Sequence, residues 1–470
     1  MRIPRILISA PGSGSGKSVI TSALAALFSE RFPVQCFKVG PDFIDPMYHA
    51  SATGRPSRNL DSWILPAETN RRIFASASSS ASLSIIEGVM GLFDGFADDP
   101  MRGSPASIAR LLDCPVVIVL DCAKLSSTAA AILKGLDTFE PGLRIAGVVC
   151  NRVGKTNHAA WLRSAIDTYA KIPVLGCVPR LDALNLPERK LGLRTVVEDP
   201  DAARAFVAES ASALREYLDL EKIFAIADAA PDFSPPPTLV PAKDTDQNRR
   251  EPPVRIAVAR DEAFCFYYRD NLDALERAGA VLVEFSPLRD ARLPEGTDGI
   301  LLGGGFPERY ARRLSANTAL LAELRARCAD GTPVYAEGGG LIYLSQGFED
   351  EGTFFPFVGT IDGRCRMGTG LKMGYRSVRP LGDTLLAEKG RLLRGHEFHY
   401  SEWDGADESR AGVSPAYERH VGDPDGPVST EGWRSANVLA SYVHLHFQQD
   451  PSLAETFILK CAQRRASVAA

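Results

Sequence analysis

The segment Ser9-Ala10-Pro11-Gly12-Ser13-Gly14-Ser15-Gly16-Lys17-Ser18 sets a lysine and a hydroxyl behind a run of glycines. Glycines let backbone N–H groups converge on phosphate oxygens, Lys17 can neutralise terminal phosphates, and the Ser18 hydroxyl can ligate Mg²⁺. Gly12, Gly14, Gly16, Lys17 and Ser18 are therefore the expected ATP-binding residues, although Pro11 stands where G-x-x-x-x-G-K-[ST] has its first glycine. Phosphoryl transfer needs further metal ligands. Glu87 ends an apolar run and precedes Gly88-Val89-Met90-Gly91-Leu92-Phe93-Asp94-Gly95, and Asp42 and Asp45 follow another such run. Single acids after strands usually cap helices or form turns. As a set beside a phosphate loop, Ser18, Asp45 and Glu87 are the expected Mg²⁺ ligands. Asn151, in Cys150-Asn151-Arg152-Val153-Gly154, suits either an adenine edge or a turn.

A second pattern lacks its central atom. Val334-Tyr335-Ala336-Glu337 runs into Gly338-Gly339-Gly340 and then the apolar Leu341-Ile342-Tyr343-Leu344. A strand breaking through glycines into a helix is the pattern of a nucleophile elbow, which holds one reactive side chain above a sheet edge. Gly338 has no side chain with which to attack a carbonyl.

These residues need rigid elements beneath them. Apolar runs at Arg5–Ala10, Val34–Gly40, Leu83–Glu87, Pro115–Asp121, Arg144–Asn151 and Pro173–Pro179 alternate with helix-length segments. Such strands predict a parallel sheet covered on both faces. A second rhythm has strands at Arg255–Arg260, Val281–Phe285, Ile300–Gly303, Pro333–Glu337 and Ala440–Phe447. Between them, the stretch from Ala227 to Pro253 carries Pro235-Pro236-Pro237 and a polar run, the composition of a linker. The expected division is α/β throughout, with domains at 1–228 and 253–470 and a linker at 229–252. The Ser/Ala tract from Ala75 to Ser84 reads as a surface turn or helix end.

Composition narrows the class. A chain of 470 residues with 45% hydrophobic and 24% charged residues suits a multidomain globular enzyme. A net charge of −5 gives no reason to expect nucleic acid or an anionic membrane as partner. The apolar runs are strand-sized, Met1-Arg2 leads directly into one, and the nine cysteines show no C-x-x-C pair. A cytosolic protein without signal peptide, disulfide framework or zinc site is expected.

Taken together, the motifs resemble the cobyrinic acid a,c-diamide synthase family, which includes the hydrogenobyrinic acid enzymes. The similar segments are the phosphate loop, Phe37–Pro46 with Met47-Tyr48-His49, Asn59-Leu60-Asp61, Glu87–Gly95, Asn151–Gly154 and Pro187-Glu188-Arg189-Lys190-Leu191-Gly192-Leu193. Further on they are Ala263–Tyr268, Gly303-Gly304-Gly305-Phe306-Pro307-Glu308, Gly395-His396-Glu397-Phe398-His399-Tyr400 and Ala440–Phe447. The resemblance implies a P-loop, dethiobiotin synthetase-like amidoligase domain joined to a class I glutamine amidotransferase-like domain. ATP would phosphorylate acetate carboxylates of a tetrapyrrole acid, and ammonia would displace phosphate to leave carboxamides. Asp45 would take part in catalysis, with Tyr48, Asp94 and Arg189 binding substrate. Arg55, Arg58, Arg180 and Lys190 are further candidate clamps for a polyanion. A homodimer fits the resemblance.

In the second domain the resemblance implies Gly303 and Gly304 as oxyanion donors, His444 as general base and His446 at the position of the acid. Amidotransferases of this type carry cysteine where this chain has Gly338. Three readings stay open: ammonia supplied free or by another glutaminase, an engineered substitution that silences hydrolysis, or a domain kept as a structural or substrate-binding lid. Glutamine or free ammonia is thus the nitrogen donor. Amidation of sirohaem or nickel-sirohydrochlorin, or non-catalytic binding of nucleotide or tetrapyrrole, are the alternatives. His396-Glu397-Phe398-His399 is one residue short of H-E-x-x-H and does not make a zinc-protease motif.

Overall fold

The computed structural model describes residues 1–97, 99–154, 157–181, 184, 188–189, 192–235, 253–406 and 414–469. It divides into two compact units, Met1–Pro241 and Ala242–Ala470. Within the expected linker, residues 236–252 lie outside the described residues.

In the first unit, strands β1 (Arg5–Ser9), β2 (Val34–Val39), β3 (Arg58–Leu60), β4 (Leu83–Glu87), β5 (Val116–Asp121), β6 (Ile145–Val153) and β7 (Val174–Pro179) form one sheet. Their order is β3-β2-β4-β1-β5-β6-β7, with every pairing parallel. The strands β1, β2 and β4 are buried along their whole length, as their unbroken apolar character demands. The expected strands are present, and β3 is an additional edge strand of three residues that carries too little pattern to be read. The phosphate loop connects β1 to helix α1 (Lys17–Ser29), and helix α2 (Ile44–Thr53) follows β2. Because β1 lies between β4 and β5, the loop and the C-terminal end of β4 share one edge of the sheet. That is where ligands bind in open α/β sheets. Helix α3 (Ala67–Ser78) ends inside the Ser/Ala tract, as a helix end was expected to. The unit closes on its own beginning: the Met1 ammonium donates to Phe233 O at 2.8 Å and Phe233 N donates to Met1 O at 2.8 Å. A two-residue ribbon pairs β8 (Glu188–Arg189) with β9 (Gly192–Leu193).

In the second unit, β10 (Val254–Ala259), β11 (Ala280–Phe285), β12 (Gly299–Leu302) and β13 (Val334–Glu337) pair in parallel in the order β11-β10-β12-β13. An antiparallel part follows, made of β14 (Gly347–Asp350), β15 (Thr353–Pro356), β16 (Cys365–Pro380), β17 (Leu393–Trp403), β18 (Pro415–Val421) and β19 (Val428–Arg434). Its outer edge is β18-β16-β14-β15, with β17 paired to β16. The expected strand Ala440–Phe447 is instead two, β20 (Val438–Ser441) and β21 (His444–Leu445). The break has a local cause: Glu431 Oε1 accepts from Tyr442 N at 2.6 Å and Oε2 from Ser441 Oγ at 2.7 Å. Strand β20 therefore stays beside β13, whereas β21 turns away to pair with β17.

Candidate functional site

The loop after β1 is shaped by Gly16, whose φ of +92° is a backbone that L side chains rarely adopt. A Cβ there would stand 2.4 Å from Asn151 Nδ2. That amide donates to Ser15 O at 2.9 Å, so the end of β6 holds the loop from beneath, and Asn151 Oδ1 accepts from Arg152 N. Within the loop, Gly12 O accepts from Lys17 Nζ at 3.0 Å and from Ser15 Oγ at 3.1 Å. At the first turn of α2, Asp42 Oδ1 accepts from Ile44 N and Asp45 N, which fixes the direction of Asp45. Ser18 Oγ then lies 2.6 Å from Glu87 Oε1 and 3.1 Å from Asp45 Oδ2. Lys38 Nζ reaches the same two oxygens, and His49 Nε2 lies 2.6 Å from Glu87 Oε2. Burial opposes a charge on Glu87, but Lys38 and His49 outweigh it and hold the carboxyl below its ordinary range. Burial, reinforced by Lys38, lowers Lys17.

At the end of β13, Gly338 has φ +50° and ψ −105°, and its N–H donates to Ser441 O at 2.8 Å. This is an elbow backbone with no side chain at its tip. The space has a tenant: a Cβ on Gly338 would stand 2.6 Å from His444 Nε2 and 2.9 Å from its Cε1. The third-nearest atom, at 3.7 Å, is Gly304 Cα, so no sulfur comes closer. His444 Nδ1 is 3.5 Å from Glu337 Oε2. Glu337 Oε1 accepts from Leu445 N at 2.9 Å and from the Tyr335 hydroxyl. The His444 ring stacks on His396 at 5.0 Å and 21°. Burial, and then His444, push His396 well below the ordinary histidine range. Cys365 and Cys328 are both buried, and burial raises their thiols to about 12 and about 11. Neither is a ready thiolate.

Residues 6–193 match the family model of the CobQ/CobB/MinD/ParA nucleotide binding domain, and residues 255–452 that of the CobB/CobQ-like glutamine amidotransferase domain. A protein of Picrophilus torridus named cobyrinate a,c-diamide synthase is 42% identical over 462 residues, covering 98% of this chain and 99% of its own. Proteins of the same name from Dehalococcoides mccartyi strain CBDB1 and Salmonella typhimurium are each 40% identical. These matches cover 97% and 96% of this chain and 98% and 97% of the respective relatives. The chain belongs to the cobyrinate a,c-diamide synthase family.

Membership in the cobyrinate a,c-diamide synthase family implies a nucleotide, and the edge of β4 offers hard oxygens of the kind a divalent ion takes. Among the described residues no three His, Cys, Asp or Glu side chains are arranged to hold a metal. Asp45, Glu87 and Ser18 instead offer two carboxylates and a hydroxyl on one point. Mg²⁺ takes such a partial set of hard oxygens and completes its shell with phosphates and water. No described helix is long and apolar enough to cross a membrane.

The structure spreads the other candidates out. Tyr48 is buried on α2 with its hydroxyl donating to Arg194 O at 2.9 Å, whereas Asp94 is exposed and accepts from Gly91 N. Arg189 lies in β8, but its side chain falls outside the described residues, as does Lys190 entirely. Arg55 is occupied with Gln35, Ala77 and Ser80. The oxyanion expectation needs correction, because Gly303 N–H is taken by Tyr267 Oη at 2.9 Å and Gly304 N–H by Phe266 O at 3.3 Å. The amide nitrogen of Gly305 instead lies beside Gly339, 3.2 Å from where a Cβ there would stand, next to the elbow. His446 accepts from Gln448 N, and the carboxylate beside His444 comes from Glu337. Three residues escaped the sequence reading. Lys38 had a signal, a cation in an otherwise buried strand; His49 had another, standing four residues after Asp45 on one helix face. Glu337 ends a buried strand.

Proposed function

We propose that this chain amidates the a and c acetate carboxylates of cobyrinic or hydrogenobyrinic acid, using ATP and ammonia. A carboxylate oxygen attacks the γ-phosphorus, and ADP leaves with the bond to the β–γ bridging oxygen. Ammonia then adds to the acyl phosphate carbon, and inorganic phosphate departs as the amide forms. Lys17 binds and neutralises phosphate charge, while Ser18, Asp45 and Glu87 hold the ion. Mg²⁺ held by these residues would offset the charge of the phosphates. The convergence of Ser18, Asp45 and Glu87 beside the phosphate loop supports the phosphoryl-transfer half of this reading.

Gly338 supports free ammonia as the donor. Glutamine hydrolysis on an elbow proceeds through a thioester, and this elbow carries no sulfur. His444 and nearby amides can polarise a bound amide but cannot form that bond. The test is ADP release and product mass on a panel of cobyrinic, hydrogenobyrinic and sirohydrochlorin-type acids, with ammonium in one arm and glutamine in the other. Amide formed equally fast from glutamine would refute the ammonia reading. ADP release without amide on every acid would refute the ligase reading.

A further inference from the structure

Lys38 is a charged side chain in the middle of a buried sheet. It pairs in register with Glu87 across β2 and β4, so the two side chains rise on the same face. Its side chain is 3% exposed. Its Nζ donates to Asp45 Oδ2 at 2.5 Å and Glu87 Oε1 at 2.8 Å, and stands 3.8 Å from Asp42 Oδ2. Gly88 O accepts from it at 3.4 Å. Asp45 Oδ2 and Glu87 Oε1 are also the two oxygens that face Ser18 Oγ. A divalent ion held by Ser18, Asp45 and Glu87 would need the lone pairs that Lys38 now uses.

Two buried carboxylates this close repel unless a cation lies between them. Lys38 supplies one positive charge on a flexible four-carbon stem. A divalent ion supplies two and is the stronger partner, and at the same oxygens it would repel the ammonium. Resting on the reading of this edge as the phosphoryl-transfer site, we infer that the Lys38 ammonium occupies the metal cradle of the nucleotide-free protein and is displaced when Mg²⁺ enters with nucleotide. Displacement leaves a mobile cation at the same edge as Lys17, where phosphate charge is to be met. Lys38 is thereby a positioning residue that keeps the cradle assembled while empty and raises the threshold for metal binding without nucleotide.

The experiment is Mn²⁺ titration, followed by electron paramagnetic resonance, of the whole chain without nucleotide. Wild type is compared with Lys38→Met and with Lys38→Gln, which keeps hydrogen bonding but loses the charge. Both variants should bind Mn²⁺ at least tenfold more tightly than wild type. Mg²⁺ alone should raise their melting temperatures by several degrees and leave that of wild type nearly unmoved. Equal or weaker Mn²⁺ binding by the variants overturns the inference. Should the variants not fold without metal, recovery on refolding in Mg²⁺ supports it and failure to recover overturns it. No tetrapyrrole or ATP enters these measurements, so their outcome is independent of the amidation assay.

Discussion

At the scale of single residues, the two halves of the molecule pose opposite problems. Lys17 donates from Nζ to Gly12 O at 3.0 Å within the loop, and Lys17→Ala should abolish ATP-dependent amidation. Its melting temperature should stay within a few degrees of wild type, and near-normal turnover in that folded variant would sink the phosphoryl-transfer reading. Gly338 is missing an atom. Gly338→Cys should restore glutamate release from glutamine only weakly, because the new Cβ would press into the His444 ring at 2.6 Å. His444 must move several tenths of an ångström before thiol and imidazole can sit side by side. Release should rise from background yet stay orders of magnitude below a rate set by an aligned nucleophile and base. Strong release by the unmodified chain would require another nucleophile, and the buried, protonated thiols of Cys365 and Cys328 make poor ones. Residue types were legible where chemistry names them, as with Lys17, Ser18 and Glu87. Which of three consecutive glycines brings its amide nitrogen beside the elbow was not legible, because Tyr267 reaches Gly303 from 36 residues away in sequence.

At the scale of elements, strands such as β1, β2 and β4 were readable because they are buried along their whole length and largely apolar, whereas the short edge strand β3 was not. The ribbon of β16 and β17 was not. Most of the first half of β16 is exposed, with Met367, Leu371 and Met373 among polar neighbours, so neither alternation nor a continuous run marks it. The split between β20 and β21 hides for another reason: it depends on Glu431, a buried carboxyl on β19 that grips the backbone of the turn. Burial, with the nearby Glu397 charge, raises Glu431 to about 7, above the 4.5 of a free glutamic acid. The folded state thus binds a proton that the unfolded chain releases between those values. The resulting stability is full below about pH 4.5 and is lost as pH rises through about 7. It amounts to roughly 3 kcal/mol. In Glu431→Gln the drop in melting temperature between pH 5 and pH 7.5 should shrink relative to wild type. An unchanged drop would show that Glu431 titrates normally.

At the scale of the whole molecule, each unit carries its own core and one unit fastens its two ends together. Phe233 is 2% exposed, lies beneath the guanidiniums of Arg5 and Arg71 at 5.6 and 4.7 Å, and packs edge-on against Phe74. Phe233→Ala should cost about 3 kcal/mol. In calorimetry it should lower the transition that Mg·ADP raises and leave any transition insensitive to nucleotide in place. The two-part division was legible from proline-rich composition, whereas the clasp at Phe233 was not, since it joins residues more than 200 positions apart. The elbow has a consequence at this scale as well. An L-residue held at φ +50° and ψ −105° stores about 1–3 kcal/mol of backbone strain, which glycine does not pay. A cysteine at this position would have to carry that strain, so Gly338→Cys should be less stable than wild type by about that amount.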